Sequence, residues 1–85
     1  MYNIEFTKQA IKDLRKIPRN NVSKVIEKIK ILSGNPRDSK LDIKQLKGVD
    51  GYRLRVGDYR VIYEIEDAKL IIKVIKVQSR GNVYG

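Results

Sequence analysis

The sequence predicts an α+β fold: an N-terminal strand, a two-helix antiparallel hairpin, then a three-stranded antiparallel meander, with the helices on one sheet face. Two periodicities predict it. Apolar residues recur at helical spacing from Ala10 to Leu32, and they alternate with polar ones at Tyr2–Phe6 and again from Tyr52 onward. Helical and extended segments are therefore segregated along the chain. The third observation is Gly57-Asp58, set between two alternating runs as a two-residue hairpin turn would be.

Each element has its own local reason. Tyr2, Ile4 and Phe6 alternate with Asn3 and Glu5, the pattern of a half-buried strand. Thr7 fits a helix N-cap, and Phe6 and Ile11 sit at the spacing of a hydrophobic staple. Ala10, Ile11, Leu14 and Ile17 form one helical stripe that Pro18 ends, with Lys8, Lys12, Arg15 and Lys16 on other faces. A second helix follows after Asn20 or Asn21, carried by Val22, Val25, Ile26, Ile29 and Leu32 and stopped by Gly34 and Pro36. About four residues between the helices suggest an antiparallel helical hairpin.

Residues 35–51 show no clear period, and Leu41, Ile43 and Leu46 are expected to anchor them to the core. A connection of this length in a compact domain is commonly functional. Strands Tyr52–Val56 and Tyr59–Ile65 then flank Gly57-Asp58, where glycine in first place suits a type II′ turn. A third strand, Leu70–Gln78, follows the turn Glu66–Lys69, and Arg80 to Gly85 form a short tail. With no repeat, linker or low-complexity stretch, residues 1–85 read as a single domain.

Composition narrows the chemistry. A domain of 85 residues buries roughly 60–65% of its unfolded surface, enough for one modest core. The absence of cysteine removes disulfides and thiolate ligation, and the absence of histidine removes the commonest general base and nitrogen ligand. The reading is accordingly of a chain with no metal and no cofactor. The start, Met1-Tyr2-Asn3-Ile4-Glu5, lacks a signal pattern, and no apolar run is long enough for a membrane span, so a cytoplasmic protein without membrane contact is expected. The net charge is +9, and it is spread: residues 1–36 hold eight basic and three acidic side chains, residues 37–60 seven and four. Such a charge predicts attraction to a polyanion.

The hairpin turn sets a register. With Gly57-Asp58 as the loop, Val56 pairs Tyr59, Arg55 pairs Arg60, Leu54 pairs Val61 and Arg53 pairs Ile62. Leu54, Tyr59, Val61, Tyr63 and Ile65 then share the face that meets the helices, and Arg53, Arg55 and Arg60 share the other. Extending the register pairs Val61 with Val74, Tyr63 with Ile72, Ile62 with Lys73 and Arg60 with Ile75, which adds Lys73 to the cationic face. Like charges opposed across strands destabilise the pair, whereas arginine's planar fork suits phosphate oxygens. The arginines therefore point to phosphate binding. Lys44 and Lys47 are further candidate substrate-binding cations. Asp58 reads as a turn residue, Tyr52, Tyr59 and Tyr63 as core or sheet-edge aromatics, and Glu64 as a solvated charge on the arginine face. Tyr84 lies in a polar, glycine-flanked tail where packing needs no aromatic.

At these residues the chain resembles toxins of the RelE/ParE superfamily, in particular the RelE branch of mRNA-cleaving toxins. The resemblance runs through the opening strand, the helices ending in Asn35-Pro36-Arg37, Lys47-Gly48, the segment Tyr52 to Tyr63, and Arg80 with Val83-Tyr84. It implies a compact α+β fold similar to microbial ribonucleases, and cleavage of messenger RNA in the ribosomal A site. It implies as partners a cognate antitoxin that wraps the toxin, mRNA and ribosomal RNA, with no DNA contact except through an antitoxin complex. Family catalytic positions fall on Arg53, Arg55, Arg60, Arg80 and Tyr84. Arg55, Arg60, Arg80 and Tyr84 are taken as catalytic, and Arg53, Lys44, Lys47 and Lys73 as substrate-binding. Ser79 stands where many relatives carry histidine, and Arg53 and Arg55 stand where some carry lysine, so both can act electrostatically but not as ordinary bases. Two other classes remain open: a ParE-like topoisomerase inhibitor, and a catalytically weak RNA-binding or antitoxin-binding module.

Overall fold

The computed structural model describes residues 1–79. Its elements are β1 (Asn3–Phe6), α1 (Lys8–Arg15), α2 (Arg19–Gly34), β2 (Asp42–Gln45), β3 (Tyr52–Val56), β4 (Tyr59–Glu66), a single 3₁₀ turn (Asp67–Lys69) and β5 (Ile71–Ser79). The strands form one five-stranded sheet in the order β1-β5-β4-β3-β2. β1 runs parallel to β5 and every other pairing is antiparallel. The expected strand, helix pair and meander are present, and one further edge strand, β2, completes the sheet. Among the described residues no helix is long and apolar enough to cross a membrane.

α1 begins where its chemistry dictates. Thr7 is extended, and its hydroxyl accepts from the Ala10 N–H at 3.1 Å. The same hydroxyl donates to the Ile75 carbonyl at 2.5 Å. Thr7 thus caps the helix and satisfies β5 at the point where β1 runs out. Asp13 continues that role nearly two helical turns later, accepting from the Val77 N–H at 2.9 Å. β5 is longer than β1, and these two side chains replace the backbone partners that β1 would otherwise supply. α2 starts at Arg19, earlier than the asparagines suggest, because Pro18 precedes it with φ −54°, already close to helical. The link between the helices is accordingly shorter than the expected four residues.

The core lies on one sheet face. Ala10, Val25, Ile29 and Leu32 from the helices meet Leu54, Val61, Tyr63, Ile72, Val74 and Val77 from the sheet. Tyr63 is fully buried and stacks on Tyr52 with ring centroids 5.5 Å apart. Tyr59 accepts a hydrogen bond from the Asn21 amide at 3.0 Å, tying the start of α2 to the hairpin. All three tyrosines are structural, as their positions in the alternating pattern suggest.

Two sequence expectations need correction. Residues 35–51 are not wholly irregular: Asp42–Gln45 form the edge strand β2 against β3. The signal was the brief alternation Leu41-Asp42-Ile43-Lys44, too short to stand out by itself. The register of β5 also differs. Val61 pairs Val77 and Ile62 pairs Lys76, after which Tyr63 pairs Val74. Ile75 is the extra residue of a β-bulge, which shifts everything beyond it by one position. The loop Asp67–Leu70 is also two residues longer than the expected register implies, so Lys73 faces Glu64, not Ile62, and with the bulge Lys76 takes the place expected for Lys73.

Candidate nucleic-acid interface

Glycine at 57 makes the hairpin possible. Its φ is +58°, while Asp58 is not among the positive-φ residues, the combination that a type II′ turn requires. That turn sets the register, and Arg55 does stand opposite Arg60, with Arg53 opposite Ile62. Because successive residues alternate in direction, all three arginines point away from the helix-covered core. The sheet order lines this face into rows. The first reads Asp42, Arg55, Arg60, Gln78 across four strands. The second reads Lys44, Arg53, Ile62, Lys76.

Among the described residues no carboxylate neutralises these cations by contact. The ion pair formed among the described residues is Lys69–Glu66 at 3.8 Å, at the other end of β4. Arg53 is half-buried, and its Nε has no hydrogen-bond partner within the protein. Arg53, Arg55 and Arg60 line a concavity of about 290 Å³ together with the turn residues Gly57 and Asp58. A buried guanidinium nitrogen without an acceptor, beside two exposed guanidiniums, is an arrangement that an anionic oxygen completes. A larger cavity of about 560 Å³ lies on the core side of the sheet, lined by Tyr2, Arg37, Asp38, Tyr52, Tyr63 and Asp67 among others. It opposes one cation with two carboxylates, and the Tyr2 hydroxyl already donates to Asp67 at 2.6 Å, so it is no anion cradle.

The other expected site residues distribute unevenly. β2 brings Lys44 directly beside Arg53. Lys47 lies in the turn beyond Leu46, whose N–H bonds the Gly51 carbonyl, and so at the end of β2 remote from Arg55. Lys73 is four residues along β4 from the Arg60 row, or about 13 Å. Lys76 is nearer and was missed, because the bulge that places it leaves no mark in the alternation of Ile and Val. Asp42 was also missed. It stands opposite Arg55 as the one carboxylate in the first row, and reading β2 as a strand would have found it. Arg80 and Tyr84 lie outside the described residues. Among the described residues there is no cluster of His, Cys, Asp or Glu that could hold a metal ion.

A small sheet covered on one face by two helices, with an open cationic face, defines a compact α+β class of domain. The chain matches the family model described as ParE toxin of type II toxin-antitoxin system, parDE, over residues 4–84. It is 40% identical to a Methanocaldococcus jannaschii protein bearing the name RelE1, over 98% of this chain and 94% of that one. It is 30% identical to the mRNA interferase toxin RelE of Escherichia coli K12, covering 98% of this chain and 90% of the relative. The toxin chain in the crystal structure of an archaeal RelE-RelB complex from Pyrococcus horikoshii superposes with a TM-score of 0.82 at 36% identity, covering 94% of this chain and 96% of that one. The chain belongs to the RelE/ParE toxin superfamily.

Proposed function

We propose that this protein is the toxin of a type II toxin–antitoxin pair and acts as an endoribonuclease on mRNA positioned by the ribosome. The observation that carries the reading is the opposed pair Arg55 and Arg60, unneutralised on the open face beside Arg53. The name mRNA interferase, borne by the Escherichia coli relative, supports it. An antitoxin partner is supported by the RelE-RelB complexes among the structural neighbours. Such a system would operate in the cytoplasm, where translation takes place.

The reaction is attack of a ribose 2′-hydroxyl on the adjacent phosphate, which leaves a cyclic phosphate and releases a 5′-hydroxyl. Arg55 and Arg60 hold the scissile phosphate and stabilise the charge that develops on its oxygens. Arg53 and Lys44 hold a neighbouring phosphate. Arg80 and Tyr84 enter through the family resemblance: Arg80 as a further cation, Tyr84 to stack on a base and exchange a proton. Asp42, opposite Arg55, offsets part of the repulsion within the first row. With neither histidine nor lysine at the expected base positions, the substrate must be oriented by something larger, and the basic helices suit docking on ribosomal RNA.

The test is induction in cells followed by mapping of transcript 5′ ends. Codon-phased cuts, lost with Arg60→Ala, are expected. The family model's ParE description favours a second reading, inhibition of a DNA topoisomerase. Intact transcripts together with DNA damage would establish that reading and eliminate the nuclease.

A further inference from the structure

The open face is not uniformly charged. Beside the arginines it forms a depression of about 380 Å³ whose floor is Leu46, Val49, Ile62 and Ile75 and whose rim includes Glu64, Lys76 and Gln78. That volume falls within the ~300–1,000 Å³ typical of small-molecule sites. The core needs none of these side chains, because the helices cover the opposite face. Val49 is 61% exposed. Ile75 shares this face with Lys73 by the strand's alternation, and the β-bulge keeps the next residue, Lys76, on it as well.

We infer that this shelf is a nucleobase subsite: it takes the base of a nucleotide whose phosphate Arg55 and Arg60 hold, and Glu64 makes it favour bases with an exocyclic amino group over uracil. The inference rests on the RNA-binding reading above. Position argues for it first. Gln78 stands opposite Arg60, so the shelf begins beside the phosphate site. Ile62 is the next residue of β4 on this face, about 7 Å from Arg60 along the strand, and a ribose bridges such a gap between phosphate and base. Charge argues for it next. The arginines and Lys76 at the shelf's rim attract the backbone, and its aliphatic floor suits the one uncharged part of a nucleotide. A flat base buries its face against aliphatic side chains without leaving a polar group unpaired. Ionised Glu64 can only accept hydrogen bonds. Adenine, cytosine and guanine carry amino donors that uracil lacks.

The probes are 2′-O-methyl trinucleotides, which cannot be cleaved, with each of the four bases or no base at the position next to the central phosphate. Binding to the full chain is followed by NMR titration at low salt. Removing the base should weaken binding to the wild type threefold to tenfold. In I62T/I75T, chosen to preserve strand-forming residues and checked for folding by its spectrum, intact and abasic probes should bind alike. Glu64→Gln should abolish the preference against uracil. Base removal without effect on the wild type, or with an undiminished effect in I62T/I75T, overturns the subsite while leaving the RNA reading intact. Arg60→Ala should weaken every probe equally. If it changes none, the RNA reading itself fails and the subsite with it.

Discussion

Replacing Arg60 by glutamine should make the protein more stable while it removes function. Arg55 and Arg60 are directly opposed, both exposed, and neither contacts a carboxylate. Two guanidinium charges ~7 Å apart across a strand pair repel by about 0.6 kcal/mol in a water-like dielectric, falling to about 0.3 kcal/mol at physiological ionic strength. For a domain of this size that corresponds to a rise in Tm of roughly 1–4 °C, larger at low salt. The two arginines are not equivalent. Asp42 stands opposite Arg55 but not Arg60. Arg55→Gln relieves the same repulsion but also loses the attraction to Asp42, so its net effect should be close to zero. Thermal unfolding of both variants at low and moderate salt separates the Coulombic part from any lost packing of the aliphatic stem, which salt does not alter. A loss of stability in Arg60→Gln that deepens as salt is lowered would refute the view of these arginines as an unneutralised pair.

Thr7→Ala removes both the cap of α1 and the partner of the Ile75 carbonyl, and should cost about 2 kcal/mol in denaturant unfolding. Gly57→Ala meets no atom within 4 Å but retains φ +58°, so it should lose about 1–2 kcal/mol purely from backbone strain. In a chevron analysis that loss would show whether the hairpin is formed early. Burial, then the neighbouring Tyr52, pushes the Tyr63 hydroxyl well above the ordinary phenol range. The folded state therefore retains a proton that the unfolded chain releases above about pH 10, and stability should fall by up to about 1.4 kcal/mol per pH unit beyond that point. The Tyr63 hydroxyl is also buried without a hydrogen-bond partner. Tyr63→Phe should accordingly be neutral or stabilising by up to about 1 kcal/mol at pH 7, and should flatten the alkaline fall.

The sequence by itself determined what depends on neighbours along the chain. Thr7 before Ala10 defines the start of α1, and Gly57-Asp58 defines a two-residue turn whose geometry dictates four flanking pairs, Arg55 with Arg60 among them. The period of two then assigns the arginines to the face away from the core. The family motif was legible for the same reason, since it is centred on that hairpin. What only tertiary structure decided depends on partners distant in sequence. Asp42–Gln45 is a strand because β3 offers it a free edge, and this alone brings Lys44 and Asp42 beside the arginines. β1 pairs in parallel with β5 across most of the chain, a choice that no local pattern encodes. The bulge at Ile75 arises where β5 passes from β1 to the side chains of Thr7 and Asp13. That one extra residue keeps Lys76 on the open face beside Ile75, where unbroken alternation would turn it toward the core, because alternation assigns faces only while the ladder is unbroken.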